Sequence, residues 1–147
     1  MTLGRKKALN QYGGVATAAE YASPHRLVQM LMEGILDKVS IAKGMMSRQD
    51  IEGKGKQISM AMSIITALKG SLDLNAGGEI ASNLDDLYGY INGRLVDANV
   101  NNDVSALDEV SDLVGQIKTA WDAMPDEVKN GSRSELAGQA PGSSAHP

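Results

Sequence analysis

Residues 77–99 read GGEIASNLDDLYGYINGRLVDAN, and this stretch decides the fold class. A glycine pair stands at its start. Apolar side chains then follow three or four positions apart, at Ile80, Leu84, Leu87, Ile91, Leu95 and Ala98. That spacing predicts one apolar stripe along an amphipathic helix. The same spacing recurs further on, at Leu107, Val110, Val114, Ile117, Trp121 and Met124. We therefore expect helices that pack against other helices.

The positions of the prolines predict the limits of the folded unit. No proline lies between Pro24 and Pro125, and proline is the strongest breaker of helices. We expect one bundle domain over residues 23–127. Residues 1–22 contain a glycine pair and no sustained periodicity, which predicts a flexible N-terminal segment. Residues 128–147 are mostly small and polar, which predicts a disordered tail.

Capping residues indicate where the first two helices begin. Ser23 has the side chain of an N-cap residue, and Pro24 follows at the first helical position, where a missing N–H costs nothing. We expect this helix to continue to about Gln49. Asp50 is the next N-cap residue, but glycines weaken the turn after it, so we expect regular helix only from about Lys56.

Two further breaks complete the division into four helices. Residues 75–78, Asn-Ala-Gly-Gly, are expected to close the second helix and open the third. Residues 101–103, Asn-Asn-Asp, are expected to separate the third helix from the fourth. Four helices joined by short loops predict an all-α fold, an antiparallel up-and-down four-helix bundle.

Composition excludes several classes of protein. The chain has 147 residues, a net charge of -4 and no cysteine, so it is one domain in size and forms no disulfide. Mild acidity argues against a nucleic-acid partner. No apolar run is long enough for a membrane helix or a cleavable signal peptide, so we expect no membrane insertion and a cytosolic location.

The sequence contains few residues in arrangements typical of an enzyme active site. Its two histidines are His25, at a helix start, and His146, near the C-terminus, and no nucleophile or metal motif accompanies them. We expect no catalytic residues, no metal site and no cofactor. A phosphotransfer bundle is one alternative, but its histidine would project from the middle of a helix. A helical docking or regulatory module remains the other alternative.

Three blocks of the sequence resemble the FliS family of flagellar export chaperones. The first block is SPHRLVQMLMEG at residues 23–34, and the second runs from Leu72 through the glycine pair to Asn99. The third comprises Asp103, the Glu-Val pair at 109–110 and the Ala-Trp pair at 120–121. The similarity spans residues 12 to about 124.

The resemblance implies a function. Members of the family bind the C-terminal helical region of flagellin, which keeps flagellin from polymerising in the cytosol, and support its delivery to the flagellar type III export apparatus. The export gate and an anti-sigma factor are further partners that this resemblance suggests. It also implies that the N-terminal segment, here with Tyr12, Val15 and Tyr21, caps an apolar groove until flagellin displaces it.

The first two helices contain more apolar residues than a bundle core requires. One core stripe of the first helix consists of Val28, Leu31, Ile35, Val39, Ala42 and Met46. This leaves Leu27, Met30, Met32, Leu36, Ile41 and Met45 beside it. The second helix has its stripe at Ile58, Met62, Ile65, Leu68 and Leu72, which leaves Met60 and Ile64. Burial of this helix pair on all sides is one interpretation.

The other interpretation is a groove for a partner helix, because methionine adapts its shape to an incoming apolar surface. On this interpretation we expect the partner-binding residues to be Leu27, Met30, Met60 and Ile64, with Tyr88 and Tyr90 on the third helix. An exposed apolar surface also predicts either a monomer or a weak homodimer.

Overall fold

The structure, a computed structural model, describes residues 23–124 and consists there of four α-helices. They are α1 (Pro24–Ser47), α2 (Ile51–Gly70), α3 (Leu74–Asn101) and α4 (Val104–Asp122). Each helix packs against the helices before and after it in the chain, and α1 also packs against α4. The predicted antiparallel up-and-down four-helix bundle is confirmed. The predicted N-terminal segment, the tail and residues 125–127 lie outside the described residues.

The helix starts follow the predicted caps closely. Ser23 accepts a hydrogen bond from the Arg26 amide at 3.1 Å, with Pro24 at the first helical position. Asp103 accepts from the amides of Ser105 and Ala106 at the start of α4. These bonds satisfy N–H groups that have no partner within the helix.

The second helix begins earlier than we expected. Asp50 caps it by accepting from the Gly53 amide at 2.9 Å, and α2 is regular from Ile51 rather than from Lys56. Lys54 supplies the reason, because its ammonium donates to the main-chain oxygen of Asn99 at 2.9 Å and fastens this first turn to α3. A tertiary contact thus outweighs the low helix propensity of the glycines.

The boundary predicted at residues 75–78 is wrong for the end of the second helix, although a break between two helical segments does occur at Gly78. The second helix ends at Gly70, and Asp73 caps α3 by accepting from the Ala76 amide at 2.9 Å. Residues 75–78 therefore lie inside α3. The glycine pair still interrupts the helix, since Gly78 has φ 59° and ψ -138°, a backbone conformation that essentially only glycine adopts.

One contiguous core joins the four helices. Its buried members are Val28, Met32, Ile35, Val39, Ala42, Met46, Ile58, Ala61, Ile64, Ile65, Leu68, Tyr88, Ile91, Leu95, Ala98, Ala106, Leu107, Val110 and Val114. Two residues that we expected beside the stripes, Met32 and Ile64, are in this core, whereas Leu31 is only partly buried. Ile80, expected on the stripe of α3, is 50% exposed and lies two residues beyond the break at Gly78.

Candidate partner-binding surface

The surface that combines most of the predicted binding residues lies along the α1–α2 pair. We call it the α1–α2 face and define it as Leu27, Met30, Gly34, Gln57, Met60 and Ile64. The three residues of α1 are spaced three and four apart, and so are the three residues of α2. Each set of three therefore lies on one side of its helix.

Close packing between α1 and α2 gives this face a defined shape. A Cβ atom on Gly34 would lie 3.3 Å from Cδ1 of Ile64, so the glycine allows α1 to approach the Ile64 side chain. Near the other end of the pair, a Cβ on Gly53 would lie 2.5 Å from the Met45 sulfur. A larger side chain would require the Ile64 side chain to shift at position 34, and the Met45 and Asp50 side chains to shift at position 53.

Two methionines of the face are buried without belonging to the core. Met30 is 6% exposed and Met60 is 7% exposed, yet neither is a member of the contiguous core. Met30 is two positions from the core residues Val28 and Met32. Two positions correspond to a rotation of about 200°, so Met30 lies on nearly the opposite side of α1 from them.

The other predicted binding residues differ in their exposure. Leu27 is half-buried. Ile64 belongs to the core and also packs against Gly34. Tyr88 is buried in the core, on α3. Tyr90 is 48% exposed and faces α4. The structure thus groups four of the six residues on α1 and α2 and places the two tyrosines on a different helix.

Tyr90 belongs to a polar network between α3 and α4. Its hydroxyl donates to Glu109 at 2.6 Å, and Arg94 Nε donates to the same carboxylate at 2.7 Å. Arg94 also pairs with Asp97 at 2.9 Å. The hydrogen bond from Tyr90, followed by that from Arg94, holds the pKa of Glu109 below its ordinary value. The same bond to Glu109 raises the pKa of Tyr90.

A second polar cluster closes the bundle between the start of α1 and the end of α4. His25 is 8% exposed and its ring stacks on Trp121. Gln29 donates to Asp122 at 2.5 Å, and Lys118 donates to the same carboxylate at 2.9 Å. The bonds from Lys118 and then Gln29 lower the pKa of Asp122. His25 is therefore a packing residue, an environment that does not suit phosphate transfer.

Sequence reasoning missed Gln57 as a member of the α1–α2 face. A search for apolar residues passes over a glutamine, although its spacing from Met60 and Ile64 was visible.

In residues 23–124, no group of three histidine or carboxylate side chains could hold a metal ion. In the same range, no helix is both long and apolar enough to cross a membrane.

These features define a small four-helix bundle protein. The profile of the family described as "Flagellar protein FliS" matches residues 5–128. The chain belongs to this family, and the resemblance seen in the sequence is confirmed.

Three relatives show how far the similarity extends. The chain is 48% identical over 120 residues to the flagellar secretion chaperone FliSB of Pseudomonas aeruginosa, covering 80% of this chain and 95% of that protein. It is 39% identical over 115 residues to the flagellar secretion chaperone FliS of Vibrio cholerae, covering 78% and 85%. It is 42% identical over 108 residues to the protein of the same name from Salmonella typhimurium, covering 73% and 80%.

Proposed function

We propose that this chain is a cytosolic export chaperone. It binds the C-terminal helical region of flagellin, prevents premature polymerisation and supports delivery of flagellin to the flagellar type III export apparatus. The observation that carries this proposal is similarity along most of the chain to relatives that are named flagellar secretion chaperones. The proposal includes no catalytic step and no cofactor.

The α1–α2 face is the proposed binding surface for flagellin. Its contacts come from Leu27, Met30, Met60 and Ile64. A client segment that folds on binding loses conformational entropy, so it needs a long apolar surface against which to lay one side of a helix. Met30 and Met60 suit this role because they lie outside the core and can be repacked without opening it.

Binding at this face requires local repacking. Both methionines are largely buried, so a client helix must replace their present neighbours rather than dock on a fully open groove. An interface of about 1,600 Å² is the usual size for a specific complex, and a few buried anchors supply most of its affinity. Tyr90 offers an exposed aromatic ring on α3, and Tyr88 supports that helix from within the core.

Three further parts of the proposal concern regulation and partners. The N-terminal segment, through Tyr12, Val15 and Tyr21, competes with flagellin for the α1–α2 face. The export gate and an anti-sigma factor are additional partners of the same chaperone. The unliganded protein is a monomer or a weak homodimer, because a partly apolar surface favours limited self-association.

Titration with a peptide tests the proposal directly. The peptide matches the C-terminal helical segment of flagellin from the same organism, and binding is followed by calorimetry with circular dichroism in parallel. We expect binding with a gain of helix and a negative change in heat capacity, the signature of apolar burial coupled to folding. Absence of binding at high micromolar concentration would contradict the proposal and favour a helical docking module without a flagellin client.

Variants of two methionines in α2 test where the flagellin peptide binds. Met60→Gln alters the α1–α2 face, whereas Met62→Gln alters a half-buried methionine that packs against the core from another side of α2. We expect Met60→Gln to weaken peptide binding by at least about tenfold, equivalent to 1.4 kcal/mol, because a polar amide replaces an apolar anchor. Met62→Gln should retain the affinity. Equal losses in both variants would place the binding surface elsewhere.

A further inference from the structure

Gln57 has an unpaired polar atom in an otherwise apolar surface. Its side-chain carbonyl oxygen, Oε1, is buried and has no hydrogen-bond donor. Asn92 also has a buried oxygen without a donor, but its amide nitrogen donates to Thr66. The side chain of Gln57 makes no such bond to any residue between 23 and 124. Among the partly buried amide side chains of residues 23–124, that of Gln57 therefore has the fewest hydrogen bonds.

The position of Gln57 relates this oxygen to the proposed client. Gln57 precedes Met60 by three residues and Ile64 by seven, so the three side chains lie on one side of α2. Met60 and Ile64 are two of the proposed contacts with flagellin. A helix that covers these two residues therefore passes next to Gln57.

A buried acceptor without a donor destabilises the free protein, and an apolar side chain of similar size would avoid that penalty. A bound segment that supplies a donor would remove the penalty. A segment without a donor, or one bound in a shifted register, would leave it in place, and this difference is a source of specificity.

We propose that Gln57 is a specificity-determining residue of the client-binding face. Its Oε1 accepts a hydrogen bond from a polar side chain of the bound helix. The donor is a side chain because the backbone N–H groups within a helix are already paired with its own carbonyl groups. The recognised segment therefore carries one donor, such as Gln, Asn, Ser, Thr, Lys or Arg, at the edge of its apolar stripe. This inference rests on the proposed function.

Two variants of the full chain test this role. Gln57→Leu removes the buried acceptor, and Gln116→Leu is the matched control, because Gln116 is an exposed glutamine of α4 that donates to Asp112 at 2.8 Å. We expect Gln57→Leu to keep or raise the urea midpoint of the free protein while it weakens binding of the flagellin peptide by about five- to tenfold. The control should leave peptide affinity unchanged.

The donor on the client is identified by replacing each polar residue of the peptide with alanine. We expect one replacement to weaken binding to the unaltered protein and to have no further effect on binding to Gln57→Leu, as in a double-mutant cycle for a direct contact. Gln57→Met serves as a second apolar variant and should behave as Gln57→Leu does.

The outcomes separate this inference from the proposed function. If the unaltered protein does not bind the peptide, the proposed function fails and the role of Gln57 fails with it. If the unaltered protein binds and both apolar variants bind as tightly, only the role of Gln57 is overturned. A lower urea midpoint in both variants would also overturn it, because the amide would then stabilise the free bundle.

Discussion

Trp121 lies against His25 with the two ring centroids 5.2 Å apart and the ring planes inclined by 21°. The indole Nε1 also donates to the main-chain oxygen of His25 at 3.0 Å. Trp121 is near the end of α4, whereas His25 is in the first turn of α1. One aromatic side chain thus joins the start of α1 to the end of α4 by stacking and by a hydrogen bond.

This contact predicts the behaviour of Trp121→Phe. Phenylalanine keeps an apolar ring but cannot donate to the His25 oxygen, so we expect the free energy of unfolding to fall by about 1–2 kcal/mol. Urea unfolding followed by circular dichroism measures the change, since Trp121 is the only tryptophan and fluorescence would be lost with it. An unchanged midpoint would show that the hydrogen bond from Trp121 to His25 contributes nothing to stability.

Lys54 gives a second prediction. This buried side chain donates to the Asn99 carbonyl at 2.9 Å and to Asn102 Oδ1 at 3.0 Å. Lys54→Met retains the length of the side chain but leaves both acceptors without their donor, and we expect a loss of about 1–3 kcal/mol of stability. Lys56→Met, at an exposed position of the same helix, is the control and should stay within about 0.5 kcal/mol of the unaltered protein.

The two proteins are compared by urea unfolding. If Lys54→Met is as stable as the control, relief of the buried charge offsets the lost hydrogen bonds, and Lys54 makes no net contribution to stability.

Two glycines of α3 are expected to respond to alanine in opposite directions. A Cβ on Gly93 meets no atom within 4 Å, so Gly93→Ala should raise stability by about 0.5–1 kcal/mol through better helix propensity. Gly78 has φ 59° and also ample space, yet Gly78→Ala should lower stability by about 1–3 kcal/mol, because its backbone conformation is strained for other residues.

Thermal or urea unfolding of the two variants checks this contrast. Because neither added methyl group meets a steric clash, a difference in sign reports on backbone conformation alone. Stabilisation by Gly78→Ala would mean that α3 is continuous through this position.

The sequence allowed prediction of features that depend on local chemistry. The caps at Ser23 and Asp103 could be read from residue type, because a capping side chain bonds to an amide two or three positions away. The interruption at the glycine pair was also predictable. The start of α2 was not, since it depends on the bonds of Lys54 to α3, 45 positions further on.

The rotation of each helix about its axis limited the prediction of the binding surface. Periodicity distinguished an apolar side from a polar side, but it could not decide which of several apolar neighbours faces the core. Ile64 and Met60 illustrate this, because both were expected beside the stripe and only Ile64 joins the core. The orientation depends on partner helices that a single amphipathic stripe does not specify.

Carboxylates with lowered pKa values predict how stability depends on pH. Hydrogen bonds from Tyr90 and Arg94 lower the pKa of Glu109. Hydrogen bonds from Lys118 and Gln29 lower the pKa of Asp122. Hydrogen bonds from Ser105 and from the backbone amides that Asp103 caps lower the pKa of Asp103. The folded state therefore binds protons less readily than the unfolded state. Stability from these groups is complete above the unfolded pKa values, about 4, and is lost as the pH falls through the lower folded values.

We therefore expect the urea midpoint to be nearly constant from about pH 7 to pH 5 and to fall progressively below about pH 4.5. Glu109→Gln has one carbonyl oxygen where the carboxylate uses two, so it retains the bond from either Tyr90 or Arg94. Because it cannot titrate, its midpoint should fall less steeply in acid. The control is Asp86→Asn, at an exposed aspartate of α3 for which no ion pair occurs within residues 23–124. If Glu109→Gln and Asp86→Asn lose stability with the same slope as the unaltered protein, the α3–α4 network does not contribute to acid sensitivity, and the loss must arise at other carboxylates such as Asp122.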